Sequence, residues 1–126
     1  MNPRVSIVAG ARALALVAPV PAAAAPSWHP PVDGTIVDPF RAPDCPYCAG
    51  NRGIDYRVRP GSAVTAVAAG TVSWAGVVAG TRYLVVRHPD GRRATYGRLA
   101  TSSVVAGDSV IAGMVIATTT RSFYFC

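Results

Sequence analysis

The chain has 126 residues, and its 12 cationic side chains are all Arg while its 6 acidic side chains are all Asp, which gives a formal net charge of +6. Because it contains no Lys, the sequence excludes Schiff-base enzymes, P-loop nucleotide binding and carriers of lysine-attached biotin or lipoyl groups. The absence of Glu excludes a His-Glu-x-x-His zinc helix. Charged residues make up 14% of the chain and apolar residues 51%, which favours one packed, β-rich domain over a disordered segment.

The N-terminal segment has the pattern of an export signal. Arg4 and Arg12 lead into a short apolar stretch, and the alanines at positions 22–25 supply an Ala-x-Ala cleavage site. The alternative is a membrane anchor, but the apolar run is shorter than the ~18 residues that a span requires. We therefore predict a signal peptide over residues 1–25 and a mature domain over residues 26–126, which lacks a transmembrane helix and is secreted to the cell envelope.

Positive charge and predicted export together indicate the kind of partner. An exported basic domain is suited to anionic wall polymers or to membrane surfaces. The Arg residues are spread along the chain and form no single stripe, so nucleic acid is not expected as a partner.

Cys45 and Cys48 form a Cys-Pro-Tyr-Cys motif within a loop rich in Pro and Gly. In an oxidising compartment this spacing favours a small disulfide that closes the loop, with free thiols or a redox function as alternatives. A thioredoxin-like motif would open a helix, and no helical pattern follows here. A zinc ribbon would need a second cysteine pair, which Cys126 alone does not provide.

Beyond Pro31 the sequence predicts strands and turns throughout, because Gly or Pro recurs every few residues and no helical period is present. Pro89, Asp90 and Gly91 separate two alternating, β-rich segments and predict a tight hairpin. A second hairpin is predicted at residues 76–80. The predicted strands cover residues 35–37, 54–57, 63–67, 71–75, 82–88, 92–99, 109–111, 115–118 and 122–125. The fold class that follows is an all-β antiparallel domain, either two-layered or open-barrel-like.

Two aromatic side chains of this region have structural interpretations. Trp74 alternates with Val72, which predicts that both face the core. His88 stands at the head of the Pro-Asp-Gly turn, and we expect it to have a turn or packing role.

Residues 51–56, 60–72 and 95–99 resemble, in order and spacing, the lysostaphin-type (LytM-like) zinc endopeptidases that cut peptidoglycan. The resemblance extends over residues 28–125. It includes an entry strand at residues 34–40 and a late, turn-rich segment at residues 105–116. It implies an antiparallel β fold with a groove in which the family holds its zinc.

The same resemblance implies that most zinc ligands are absent. The family has a His-x-x-x-Asp motif that gives two zinc ligands, and a late His-x-His whose second His is the third. A further His on the hairpin strand lies beside the metal. Asn51 stands at the first His position, Arg98 at the hairpin position and Tyr124 at the late position, so Asp55 is the one ligand that remains. A catalytic zinc needs about three protein ligands, and a permanent guanidinium charge repels the ion. We therefore predict no metal cofactor.

For the groove, we predict that Arg98 takes the place of the zinc charge by pairing with Asp55. Alternation along the hairpin strand puts Arg98 on one face with Ala94 and Tyr96. The predicted ligand-binding groove consists of Asn51, Asp55, Tyr96, Arg98 and Tyr124, with no catalytic residue.

Three functions remain open at this point. The first is a non-catalytic exported module that binds peptidoglycan or another anionic wall polymer, or that regulates a wall hydrolase. The second is a working zinc endopeptidase with substituted ligands, and the third is a structural or truncated exported protein without a ligand.

Overall fold

The computed structural model describes residues 28–126, so the predicted signal peptide lies outside the described residues. It contains eight strands: β1 Thr35–Asp38, β2 Ile54–Arg57, β3 Ala63–Thr65, β4 Gly70–Val78, β5 Thr81–Arg87, β6 Arg93–Ser102, β7 Ser109–Val110 and β8 Val115–Phe125. No helix of residues 28–126 is long and apolar enough to cross a membrane.

All eight strands belong to one antiparallel sheet, with the order β1-β2-β8-β6-β5-β4-β7. β3 pairs with the first part of β8, and β2 pairs with the last part of the same strand. The sheet is therefore built on long strands in its centre, and the predicted all-β antiparallel class is confirmed.

Several strand bounds differ from the sequence prediction, and two of the differences change a turn or a break between strands. β8 is one continuous strand of 11 residues, whereas the sequence predicted two strands separated by residues 119–121. The second hairpin turns at Ala79 and Gly80 alone, with φ values of 50° and 81°. This is the left-handed conformation at both central residues that a two-residue hairpin with the twist of its strands requires. β4 consequently extends to Val78.

One face of the sheet covers the hydrophobic core. Leu84 on β5 lies opposite Tyr96 on β6, and Tyr96 lies opposite Phe125 on β8. Phe123 and Ile116 from β8 are fully buried beside them. Side chains of directly opposed residues share a face, so these pairs define an inner face that continues across the central strands.

Trp74 is on the other face, contrary to the sequence prediction. Its side chain is 41% exposed, while that of Val72 is buried. The register of β4 against β5 shifts between Val72 and Trp74, which is the mark of a β-bulge. A bulge inserts one residue and reverses the alternation beyond it.

Candidate functional site

The register of the sheet brings distant residues into one row on the outer face. Asp55 on β2 lies opposite Tyr124 on β8, and Tyr124 lies opposite Gly97 on β6. Gly97 in turn lies opposite Tyr83 on β5. We call this side of the sheet the open face, because its side chains are half-buried or exposed and do not belong to the core.

Arg98 and Asp55 form an ion pair at the β2 end of this row. The Nη1 atom of Arg98 donates to the Oδ1 atom of Asp55 over 2.7 Å. The Asp55 side chain is 17% exposed and the Arg98 side chain 44% exposed. A partly buried carboxylate needs a donor or a cation, and the guanidinium provides both.

The backbone at Arg98 explains how its side chain reaches Asp55. Its φ is 61°, in the left-handed region that non-glycine residues rarely adopt. The register of β6 against β8 shifts between Gly97 and Leu99, and Leu99 is buried. The predicted shared face of Arg98 with Ala94 and Tyr96 is therefore wrong, because this irregularity turns Arg98 outwards while those two residues stay buried.

Asn51 supplies the second partner of the carboxylate. Its Nδ2 atom lies 3.1 Å from the Oδ2 atom of Asp55 and also 3.1 Å from the carbonyl oxygen of Asp38. Its Oδ1 atom accepts from the Gly53 amide over 3.3 Å. Both carboxylate oxygens of Asp55 thus accept hydrogen bonds, one from Arg98 and one from Asn51.

Tyr124 completes the cluster around Arg98. The guanidinium carbon of Arg98 lies 5.9 Å from the centre of the Tyr124 ring, which is a cation–π distance. Burial raises the pKa of Tyr124 to about 12, and a hydrogen bond with the Cys126 side chain and the negative charge of Asp55 act in the same direction. At neutral pH Tyr124 is therefore a neutral phenol.

Tyr96 does not line the open face, contrary to its place in the predicted groove. It is fully buried, and its hydroxyl accepts a hydrogen bond from the Val67 amide over 3.0 Å. Burial raises its pKa to about 12. Its ring packs against that of Phe125 with centroids 5.3 Å apart. Tyr96 is a core residue because the regular alternation of β6 before the irregularity turns it inwards.

The loop between β1 and β2 borders the site. A disulfide joins Cys45 and Cys48, whose Cα atoms are 5.0 Å apart, as the sequence predicted. Arg41 and Asn51 exchange backbone hydrogen bonds of 2.8 and 2.9 Å at the base of the loop. This bridge fixes the backbone of Asn51, so the loop presents the carboxamide to Asp55. Cys126 is a free, exposed thiol.

Residues 49–123, more than half of the chain, match the model of peptidase family M23. The chain belongs to this family. An uncharacterized protein of Mycobacterium tuberculosis is 34% identical over 74 residues, which cover 59% of this chain and 22% of that protein. The murein hydrolase activator NlpD of Salmonella dublin is 32% identical over 94 residues, covering 73% of this chain and 24% of that protein. The chain thus matches about a quarter or less of the length of these relatives.

The solved structure of Csd3 from Helicobacter pylori superposes on this M23 domain with a TM-score of 0.71. The sequence identity is 24%, and the match covers 79% of this chain and 30% of Csd3. At this level of identity the comparison establishes the shared fold.

The residues at the M23 metal position do not fit a zinc ion. Among the positions that the resemblance assigns to the metal site, Asp55 is the one carboxylate, and an amide N–H and a guanidinium N–H point at its two oxygens. Zinc needs three or four lone-pair donors, whereas Asn51 and Arg98 present hydrogens and a fixed positive charge. Residues 28–126 contain no group of three His, Cys, Asp or Glu side chains placed to hold a metal.

His88 does not repair this set, because it belongs to the packing of another part of the M23 domain. It is 4% exposed, and its Nδ1 atom lies 2.7 Å from the Ala69 carbonyl oxygen. Its ring packs on that of Trp28 with centroids 4.6 Å apart. The predicted packing role of His88 is confirmed.

Two residues of the open face were missed by the sequence prediction. Tyr83 was placed in a strand without a role, and Trp74 was assigned to the core. The signals that would have identified them are the glycines at positions 76 and 97, because a glycine within a regular strand marks a place where another group approaches the backbone closely.

Proposed function

We propose that this M23 domain is an exported, non-catalytic module that binds peptidoglycan, and that this binding serves the regulation of a wall hydrolase. One observation carries the proposal. Arg98 donates to Asp55 over 2.7 Å at the position of the family's metal, so a guanidinium takes the place of the ion. A site without a metal-activated water and without a general base has no nucleophile for peptide hydrolysis.

The relatives support the regulatory part of the proposal. NlpD is named as a murein hydrolase activator, and it shares 32% identity over 73% of this chain. A domain that keeps the family's groove while its metal position carries an ion pair is suited to bind wall material without cutting it. Residues 26–126 contain 10 Arg and 6 Asp, and their net charge of +4 complements the negative charge of wall polymers.

Incubation of the purified chain with intact sacculi tests the proposal. We expect the chain to sediment with the sacculi and to release no soluble fragments, with or without EDTA. Release of peptide fragments that EDTA abolishes would overturn the proposal in favour of a zinc enzyme with substituted ligands. Failure to sediment would overturn it in favour of a protein without a wall ligand.

The variant Asn51→His sharpens the test of catalysis. Restoring one imidazole leaves the phenol of Tyr124 at the third ligand position and the cation of Arg98 beside the metal site, so we expect neither stoichiometric zinc nor hydrolysis. Elemental analysis of the purified variant after dialysis against zinc measures the first, with the unmodified chain as control. One equivalent of zinc in this variant would show that these residues hold a metal, and it would contradict this expectation.

A further inference from the structure

The open face carries an aromatic row, in which each aromatic side chain lies against a glycine. The three ring residues and their glycines are Trp74 with Gly76, Tyr83 with Gly97, and Tyr124 with Gly53 and Gly97. On a regular strand the Cβ atoms of these positions would hold the rings away from the sheet. Because glycine has no Cβ atom, the rings pack directly against the backbone at these positions.

The distances show how closely the rings approach. A Cβ atom on Gly76 would lie 2.9 Å from Cζ2 of Trp74, and one on Gly97 would lie 2.8 Å from Cε1 of Tyr83. Real Cβ atoms do not approach carbon atoms so closely, since optimal separations are about 3.5–4.0 Å. Each ring therefore covers its glycine, and Trp74 remains 41% exposed to solvent on its other side.

The aromatic row runs across the sheet and not along a strand. Gly76 on β4 lies opposite Tyr83, Tyr83 lies opposite Gly97, and Gly97 lies opposite Tyr124 on β8. With about 4.8 Å between neighbouring strands, the row extends roughly 14 Å from β8 to β4. The result is a shallow apolar track that crosses four strands.

Positive charge borders this track. Arg98, whose guanidinium contacts the ring of Tyr124, lies beside the β8 end of the row, and its side chain is 44% exposed. Its side-chain hydrogen bond runs from Nη1 to Asp55. The other N–H groups of the guanidinium can therefore bind a second carboxylate.

We propose that the aromatic row binds a glycan strand that carries carboxylates, with sugar rings stacked on Trp74 and Tyr83 and a carboxylate held at Arg98. The inference rests on the proposed function and names which part of the wall polymer this site recognises. The face of a pyranose ring presents C–H groups to an aromatic ring, and a β-linked chain repeats at about the spacing of neighbouring strands. A line of rings across the strands matches that repeat.

Other occupants fit these observations less well. A peptide that added a strand could pair with the free edge of β4 beyond Thr71, because the other strands of the row are paired on both sides. Such a peptide would run along β4 and would not cross Tyr83 and Tyr124. A second copy of the chain would bring its own Arg98 against the same cation. A glycan with carboxylates meets both the apolar track and the positive rim.

The test uses isothermal titration calorimetry of the purified chain with two probes. The first is a set of glycan strands prepared from sacculi by amidase treatment, which removes the stem peptides and leaves the lactyl carboxylates. The second is an uncharged N-acetylglucosamine oligomer of similar length. We expect the charged strands to bind at least tenfold more tightly than the uncharged oligomer, and the substitution Arg98→Gln to remove most of that difference.

Variants at the aromatic row and away from it separate stacking from general attraction. Trp74→Ala should weaken binding of the charged strands roughly tenfold, which is the scale of one stacking contact. Gly76→Ala keeps the indole of Trp74 but displaces it from the sheet, so this variant should also bind the charged strands more weakly. Tyr47→Ala, in the fully exposed loop position next to the disulfide, is the matched control and should leave binding unchanged. Thermal unfolding of each variant verifies that it is folded.

Three outcomes would overturn the inference. Binding of free stem peptides without binding of the stripped strands would assign the open face to peptide. The proposed function would still hold in that case if the chain sedimented with sacculi. Equal affinities of the Trp74→Ala and Tyr47→Ala variants would remove the stacking role. A dimer in solution that Trp74→Ala dissociates would assign the face to a second copy of the chain. Loss of sedimentation with intact sacculi would instead contradict the proposed function itself.

Discussion

The two faces of the central strands share a backbone but obey different physical requirements. On the inner face Tyr96 and Phe123 are fully buried, and the one polar atom of Tyr96 is paired with a backbone amide. On the open face Tyr124, the residue after Phe123, is half-buried beside an ion pair and a free thiol. The inner face is organised for stability, whereas the open face keeps charges and aromatic surface in contact with solvent. In a β-sheet one residue position separates the two roles.

The largest expected effect on stability distinguishes Phe123 from its neighbour Tyr124. Phe123→Ala removes a fully buried ring and should lower the free energy of unfolding by about 3–5 kcal/mol. Tyr124→Ala removes a half-buried ring and should cost about 1–2 kcal/mol, because much of its surface is already hydrated. Urea denaturation of both variants measures the difference. Equal losses would show that the open face contributes to the core.

A second test uses alkaline pH and the buried tyrosine of the inner face. Burial raises the pKa of Tyr96 to about 12, while an unfolded tyrosine ionises near 10. Between these values the unfolded state loses the proton first, so stability is fully present below about pH 10 and falls as pH rises towards 12. The expected slope is about 1.4 kcal/mol per pH unit for this group.

The variant Tyr96→Phe tests whether this pH dependence of stability comes from Tyr96. It should be less stable at neutral pH, because the Val67 amide loses its acceptor, but its stability should fall less between pH 10 and 12. The control is Tyr47→Phe, at a fully exposed position, which should follow the unmodified chain. Since the chain has no Lys, loss of ammonium charge does not complicate this range. Parallel curves for Tyr96→Phe and the control would contradict the assignment.

On the open face, loss of the ion pair between Asp55 and Arg98 should lower the free energy of unfolding by less than the loss of a core side chain does. Arg98→Ala leaves the carboxylate of Asp55 with Asn51 as its remaining side-chain partner, and it should cost about 1–2 kcal/mol after allowance for the exposure of Arg98. Arg93→Ala is the matched control on the same strand, because Arg93 is exposed and has no ion pair within residues 28–126. Chemical denaturation at low salt compares the two. Equal losses would show that the Asp55–Arg98 pair adds nothing to stability.

The smallest expected effect isolates the backbone of Arg98. Arg98→Gly and Arg98→Ala both remove the ion pair, but Gly adopts a φ of 61° without a steric penalty. Arg98→Gly should therefore be more stable than Arg98→Ala by about 1 kcal/mol. A more stable Ala variant, measured by the same denaturation, would show that this φ is not maintained in solution.

The strands themselves were largely predictable from the sequence, because alternation and turn residues are local signals. The hairpin at Asp90 and Gly91 is where the dipeptide predicts it. The break predicted near residue 119 was wrong, since Thr119 is fully buried and continues β8 through tertiary pairing. The pairing of Asp55 with Arg98 was predictable only through the resemblance, because 43 residues separate them along the chain.

By itself the sequence specified the residue types at the metal position and the alternation that predicts the strands. Its lack of Lys and Glu also excluded the functions that need those residues. The tertiary structure decided which face each side chain occupies after an irregularity. Trp74 and Arg98 both follow a register shift, and both lie on the face opposite to the one that alternation predicts. The physical reason is that a strand has a period of two, so one inserted residue exchanges its two faces, and pairing with neighbouring strands determines where that residue goes.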